Sequence, residues 1–321
     1  MSSALADGFR ALSSGVGLVL DAPRRLLRVT GTDRVSFLQG MLTADVVRLA
    51  PGASAPALFL TVQGRIVAVL DVIAEPDQIL LDVATEQAEA LRQGLESFVV
   101  ADDVEIESVE ARAALLAGPA AAAALVRAFG TSLAELGENT HLKLEPGDAS
   151  SLLVLRDGDM AAARFRLWGK VEALRELSET LCAAGALLVG AEALEVARIF
   201  AGNPRAGVDF DETTLAPEVP ALAQAISKTK GCYLGQEVVE RVASRGRVQW
   251  LVVALRLDQP CEAGAEVFVD EERVGALTSV AVSPEDGSVA ALGRLRRTAV
   301  DGVAALNLAG GGRARLVEQG A

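Results

Sequence analysis

The alternation of apolar and polar positions along the chain reads as short strands interrupted by helices. Leu18–Leu20 and Leu26–Thr30 carry the strand pattern on either side of the turn Asp21-Ala22-Pro23. Beyond Thr32 or Asp33, either of which can cap a helix, Val35, Phe37, Leu38, Met41 and Leu42 form an apolar stripe at helical spacing. The runs 57–62 and 66–73 predict a hairpin turning at Gln63-Gly64, and 78–83 a third strand. A helix follows from Thr85 with Ala88, Leu91, Leu95 and Phe98 on one side, then a strand at 104–106. A second series runs through a strand at 112–117, an alanine-rich helix ending at Phe129, strands at 152–155 and 162–167, and helices at 171–184 and 191–200. Cys182 falls on the apolar face of the first of those two helices and is expected in the core.

After Val248 the helical period is lost. The runs 250–257, 266–269, 273–282, 289–295 and 314–317 are strands separated by Gly, Pro and Asp turns, with no helix among them, the pattern of a small antiparallel barrel. Hairpin-linked strands mixed with helices predict an α+β fold. The expected organisation is a body over 1–245, in two subdomains divided near 110 and completed by the segment 200–245, followed by a barrel over 246–321.

Composition narrows the chemistry. The 321 residues are 51% hydrophobic and 23% charged, enough apolar surface for two or three compact cores. No run reaches the roughly 18 apolar residues of a membrane helix, and Ala113–Val126 is broken at Gly118-Pro119. The N-terminal stretch lacks a basic region and cleavage site, and Cys182, Cys232 and Cys261 are not spaced as pairs, so a reducing cytoplasmic setting is expected. A net charge of −13 opposes non-specific binding to nucleic acid or to an anionic membrane. One His and scattered Cys do not make a closed zinc or four-cysteine iron–sulfur site, so no permanent metal is expected. His141 has no nucleophile near it in sequence and reads as a surface or strand-end residue.

Scarcity points to one place. Of 30 Lys+Arg only four are lysines, and two of those lie with a cysteine and the only tyrosine in Lys228-Thr229-Lys230-Gly231-Cys232-Tyr233. The surrounding segment 201–247 shows little regular pattern, and a loop that long in a compact protein is usually functional or disordered. Gly231 and Gly235 bracket Cys232 and Tyr233 ahead of Gln236-Glu237, so backbone can approach a ligand closely while several side-chain chemistries converge. Lys228, Lys230, Arg241, Arg245 and Arg247 outnumber Glu237 and Glu240, which suits an anionic partner. Lys230 would lower the pKa of the Cys232 thiol, and burial would raise it.

The run Lys230-Gly231-Cys232-Tyr233-Leu234-Gly235-Gln236-Glu237 resembles the signature K-G-C-[YF]-x-G-Q-E of the YgfZ family, folate-binding proteins similar to the aminomethyltransferase (T-protein) of the glycine cleavage system. Gly31 to Gly40 with Thr43-Ala44-Asp45-Val46, then Gln63-Gly64-Arg65-Ile66, Ala201-Gly202-Asn203-Pro204 with Gly207-Val208-Asp209, and Val274-Gly275 with Thr278-Ser279 fall in the family's order. The resemblance implies a T-protein-like folate-binding body followed by a C-terminal barrel, and tetrahydrofolate as cofactor. It implies a role in maturing or repairing iron–sulfur enzymes, tRNA-modifying ones included, with iron–sulfur proteins or assembly factors as partners. Cys232, with Lys230, becomes the candidate functional thiol. Gly231, Tyr233, Gly235, Gln236 and Glu237 become candidate folate-binding residues, and Arg241, Arg245 or Arg247 the partner of the folate glutamate tail.

The competing reading is a tetrahydrofolate-dependent aminomethyltransferase or demethylase. T-proteins carry an acidic residue a few positions after a Gly-Gly pair, on the strand corresponding to Arg65–Ile73. Ala68 and Val69 occupy that place here, and the nearest carboxylate, Asp71, is displaced by several ångströms, beyond direct proton transfer. Phe200 occupies the place of a Glu that holds the pterin edge. Both departures favour a helper over a transferase, and a thiol enzyme built on Cys232 lacks an identifiable base.

Overall fold

The computed structural model describes residues 3–130, 136–144, 151–157, 164–245, 248–302 and 305–317. Helix α1 (Ser3–Ser14) opens it, burying Leu5, Phe9 and Leu12 at helical spacing, and is absent from the sequence expectations. Strands β1 (Gly17–Ala22) and β2 (Arg24–Thr30) are separated by Pro23 and enter different sheets. Together with β3 (Ser54–Leu60), β4 (Ile66–Ala74), β5 (Ile79–Ala84) and β6 (Glu105–Ser108), β2 forms a five-stranded sheet in the order β3-β4-β5-β2-β6. The β3–β4 hairpin turns at Gly64, whose φ of 75° favours glycine. Helices α2 (Arg34–Met41) and α3 (Thr85–Glu96) set Phe37, Leu38, Ala88, Leu91 and Leu95 against Ala57, Ala68, Leu70 and Val72. Phe98 lies past the end of α3 and is exposed.

The second sheet has six strands in the order β11-β1-β7-β10-β9-β8. Its remaining strands are β7 (Arg112–Ala117), β8 (Thr140–Leu144), β9 (Leu152–Arg156), β10 (Arg164–Gly169) and β11 (Leu187–Leu188). Helices α4 (Ala121–Phe129) and α5 (Val171–Ala183) pack on it through Ala124, Leu125, Leu174, Leu177 and Leu181. Cys182 follows the buried row Leu174, Leu177 and Leu181 by one residue, about 100° around the helix, and is half-buried rather than in the core. His141 lies near the start of β8, at a strand end as expected, but not on the surface. It is buried on β8, because β8 joins the two sheets: the His141 amide donates to the Gly52 carbonyl at 2.9 Å and the Ser54 amide to the Asn139 carbonyl at 2.7 Å. Burial pushes the His141 imidazole below its ordinary pKa, with the Glu75 carboxylate acting in the opposite direction.

After α6 (Ala191–Phe200), the segment expected to be irregular contains 3₁₀ turns at Ala216–Glu218 and Pro220–Ala225 and the helix α7 (Gln236–Arg245). The 3₁₀ turns are too short to show a period, and the glycines just ahead of α7 mask its start. Strands β12 (Trp250–Leu257), β13 (Glu266–Val269), β14 (Glu272–Val282), β15 (Val289–Arg296), β16 (Leu306–Leu308) and β17 (Arg313–Leu316) close a barrel in the order β12-β15-β14-β13-β16-β17. A five-residue helix, α8 (Arg297–Asp301), interrupts it, correcting the expectation of strands alone. The fold is α+β, and no described helix is long and apolar enough to cross a membrane.

Candidate functional site

The signature residues gather at one corner of the five-stranded sheet. The Lys230 Nζ donates to the carbonyls of Gln39, Leu42 and Ala44 at 2.7, 2.5 and 2.8 Å and lies 5.3 Å from the Tyr233 ring centroid. Burial pushes this ammonium down to about 8, opposed by the Asp45 carboxylate; the three carbonyl acceptors also favour the charged form. Alongside, the Thr43 hydroxyl donates to the Ala225 carbonyl at 2.5 Å and accepts from the Leu58 amide at 2.7 Å. Gly235 has φ 81°, and a Cβ there would lie 2.5 Å from the Thr61 carbonyl oxygen, so only glycine lets the chain pass the β3–β4 turn. The Tyr233 hydroxyl is buried without a partner among the described residues, and burial together with Glu240 pushes it up to about 12.

Cys232 is exposed at this corner. The expectation that Lys230 acts on the thiol meets a different arrangement, since the ammonium is committed to three carbonyls. Replacing Lys230 by Met is expected to destabilise the protein by about 1–3 kcal/mol in guanidinium unfolding, because those carbonyls lose their shared donor. A change below about 0.5 kcal/mol, the usual size for a surface substitution, would remove the clamp role.

A cavity of about 560 Å³ opens elsewhere, walled by both sheets and α6. Strand alternation explains its chemistry. Along β4, Ala68, Leu70 and Val72 turn into the core, while Val67, Val69 and Asp71 share the opposite, half-buried face. Val69 and Asp71 line the cavity with Leu115, Leu194, Phe210 and Leu222 as further apolar wall. Gln87, near the start of α3, accepts from the Val69 amide at 3.2 Å and donates to the Val67 carbonyl at 3.3 Å, covering the stretch of β4 that β5 leaves unpaired.

Charged side chains fill one wall. Asp71 and Asp82 face each other across β4 and β5, an arrangement that repels unless cations intervene. Arg166 supplies the cation: its Nη1 lies 2.7 Å from Asp71 Oδ2 and 2.7 Å from Asp82 Oδ2, and its Nη2 2.5 Å from Asp157 Oδ1. Arg24 bonds Asp82 through Nε and donates from Nη2 to the Asp82 carbonyl at 2.9 Å. Trp168 Nε1 donates to Asp82 Oδ2 at 3.3 Å. Burial works against charge on both partners of the next pair, yet the aspartates raise Arg166 well above its ordinary pKa, and Arg166 and Arg164 hold Asp157 below the usual carboxylate range.

None of residues 230–241 lines this cavity. The structure therefore brings Lys230, Gly231, Cys232, Tyr233 and Gly235 together at the corner, with Gln236, Glu237 and Arg241 following on α7, Glu237 and Arg241 exposed. The side chain of Arg245 and the whole of Arg247 lie outside the described residues. Sequence reasoning missed Arg24, Asp82, Asp157 and Arg166; for Asp82 and Arg166 the available signal was a charged residue inside an apolar strand. A larger cavity of about 970 Å³, beside β12 and β17, contains Asp258, Arg313 and Arg315 but no ion pair among them in the described residues. No described cluster of three or more His, Cys, Asp or Glu side chains is arranged to hold a metal ion.

The three-sheet architecture is that of a T-protein. The crystal structure of the glycine cleavage system aminomethyltransferase T from Bartonella henselae superimposes with a TM-score of 0.84, covering 98% of this chain and 88% of that one at 24% identity. Residues 1–230 match the family described as the GCVT N-terminal domain, and the chain belongs to it. Proteins of this family bind tetrahydrofolate. A putative transferase, At1g60990, chloroplastic, of Arabidopsis thaliana is 26% identical over 301 residues, 91% of this chain and 68% of the relative. An aminomethyltransferase of Geobacillus kaustophilus is 30% identical over 294 residues, 88% of this chain and 79% of the relative. The tRNA-modifying protein YgfZ of Yersinia enterocolitica is 29% identical over 225 residues, 69% of this chain and 65% of the relative.

Proposed function

We propose that the protein binds tetrahydrofolate in the central cavity and serves as an accessory protein in the maturation or repair of iron–sulfur enzymes in a reducing cytoplasm. The observation that carries this reading is the cavity face of β4. It presents apolar Val69 at the place of the transferase carboxylate, and the next carboxylate on that face, Asp71, is ion-paired with Arg166. A ligand-sized space with one apolar wall and one charged wall suits a flat heterocycle with polar edges. The carboxylate that would move a proton in aminomethyl transfer is absent from its expected place.

Cys232 is the functional thiol in this reading. Its exposure lets it meet an iron–sulfur client or assembly factor, while Lys230, Tyr233 and Gly235 hold the loop that presents it. The transferase alternative draws support from the 30% identical relative named aminomethyltransferase. Two measurements separate the readings. Cys232→Ser is expected to fold, to bind tetrahydrofolate as the wild type does, and to fail to restore iron–sulfur enzyme activity in cells lacking the endogenous protein; full rescue would make the thiol dispensable. Formation of methylene-tetrahydrofolate from an aminomethyl donor is expected to stay at background, and robust turnover would establish the transferase instead.

A further inference from the structure

We infer that Asp71 is the acceptor that holds the amino-pyrimidine edge of the cavity ligand, a role the T-protein resemblance would place at position 200. The inference rests on the folate reading and assigns a residue within it. Phe200 offers nothing at that edge. Its ring centroid lies 5.4 Å from that of Phe9 in an edge-on contact, the Arg256 guanidinium sits 5.2 Å above it, and it is not part of the cavity wall. The α6 side chains that do reach the wall are Leu194 and Arg198, an apolar group and a cation. Neither accepts a hydrogen bond.

Asp71 has the missing capacity. Its carboxylate lines the cavity and uses one oxygen: Oδ2 lies 2.7 Å from Arg166 Nη1 and 3.9 Å from Arg24 Nη2. Oδ1 takes no hydrogen bond from any described residue. Of the acceptors on the charged wall, Gln87 and Asp157 are engaged, and the remaining carboxylate of the lining, Glu86, is exposed. Gln87 Oε1 takes the Val69 amide, and Asp157 Oδ1 takes two bonds from Arg166 while its Oδ2 lies 3.3 Å from Arg164. A 2-amino-4-oxopyrimidine presents an amino group beside a ring N–H, two donors on one edge, and an ionised carboxylate is acceptor-only. Such a charge-assisted bond is stronger than a neutral one. Val69, two residues back on the same face and about 7 Å away, then supplies apolar wall to the ring system.

Binding of tetrahydrofolate and of its 2-desamino analogue to the wild type and to Asp71→Asn tests the assignment, read by calorimetry. Asp71→Asn is expected to weaken tetrahydrofolate binding at least about tenfold, as loss of a charged acceptor does. The wild type is expected to bind the analogue more weakly, and the substitution to weaken analogue binding by a clearly smaller factor than tetrahydrofolate binding, because the analogue keeps only the ring N–H. Equal tetrahydrofolate affinity of wild type and variant overturns the assignment, as does an equal loss for both ligands, which would mark a structural effect. Should the variant fail to fold, the wild type alone decides: equal affinity for the two ligands overturns the assignment while leaving folate binding intact. No tetrahydrofolate binding by the wild type overturns both the assignment and the folate reading.

Discussion

Replacing Arg166 by Met is expected to destabilise the protein by about 3–5 kcal/mol, the cost of removing one partner from a buried ionic cluster. The guanidinium is only 5% exposed and joins three carboxylates contributed by β4, β5 and the residue after β9. Asp71 and Asp82 are opposite one another in the sheet, so without Arg166 two like charges confront each other with Arg24 as the remaining bonded cation. Met fills similar volume, so the loss reports charge and hydrogen bonding more than packing. Arg166→Lys is expected to recover only part of it, because one ammonium cannot reproduce the fork that meets Asp157 through both Nε and Nη2. Denaturant unfolding gives the measurement, and the double variant with Asp157→Asn isolates the coupling, since removing a stranded carboxylate is expected to restore stability. A loss below about 1 kcal/mol would mean that the cluster carries no more than a surface pair does.

The parts of the molecule legible in the sequence are those where side chains alone carry the pattern. Strand β4 alternates because one face packs on α3 and the other lines the cavity, and α3 shows its stripe because Ala88, Leu91 and Leu95 are buried against the sheet. Helix α1 escapes because small residues, including Gly8, dilute its stripe; Gly8 is needed where a Cβ would come within 2.9 Å of the Ala193 Cβ on α6. The run Lys230–Glu237 stands out by composition, yet its partners are the carbonyls of Gln39, Leu42 and Ala44 and the β3–β4 turn, backbone groups that sequence does not distinguish. The charged wall shows in sequence only as anomalies, Asp71 in Val-Leu-Asp-Val, Asp82 in Leu-Leu-Asp-Val and Arg166 in Phe-Arg-Leu-Trp. Which of these meet depends on two sheets coming together across 84 residues of chain, and tertiary packing alone decides that.

Replacing Asp209 by Ala is expected to cost about 3–5 kcal/mol and to uncouple the barrel from the body. The carboxylate is fully buried and accepts from Arg198 Nη1 at 2.8 Å, the Arg205 amide at 2.8 Å, the Thr278 hydroxyl at 2.6 Å and the Ser279 hydroxyl at 2.7 Å. Consecutive strand residues normally point to opposite faces, so Thr278 and Ser279 should not both reach one oxygen. A bulge between Leu277 and Ser279 in β14 makes it possible, because the extra residue re-aims its neighbour. Two family-ordered segments, Gly207-Val208-Asp209 and Thr278-Ser279, thereby become the two halves of one joint, which Arg198 completes by donating to the Ser279 hydroxyl at 2.9 Å. In Asp209→Ala the four donors are left in a buried site, and Arg198 keeps Glu195 at 2.5 Å as its charged partner. Thr278→Val removes one donor and keeps the shape, and is expected to cost about 1 kcal/mol. Differential scanning calorimetry reads the distinction: Asp209→Ala is expected to split one transition into two as barrel and body melt separately, whereas Thr278→Val lowers the midpoint of a single transition. A single transition at the wild-type midpoint in Asp209→Ala would show that apolar contacts alone hold the barrel in place.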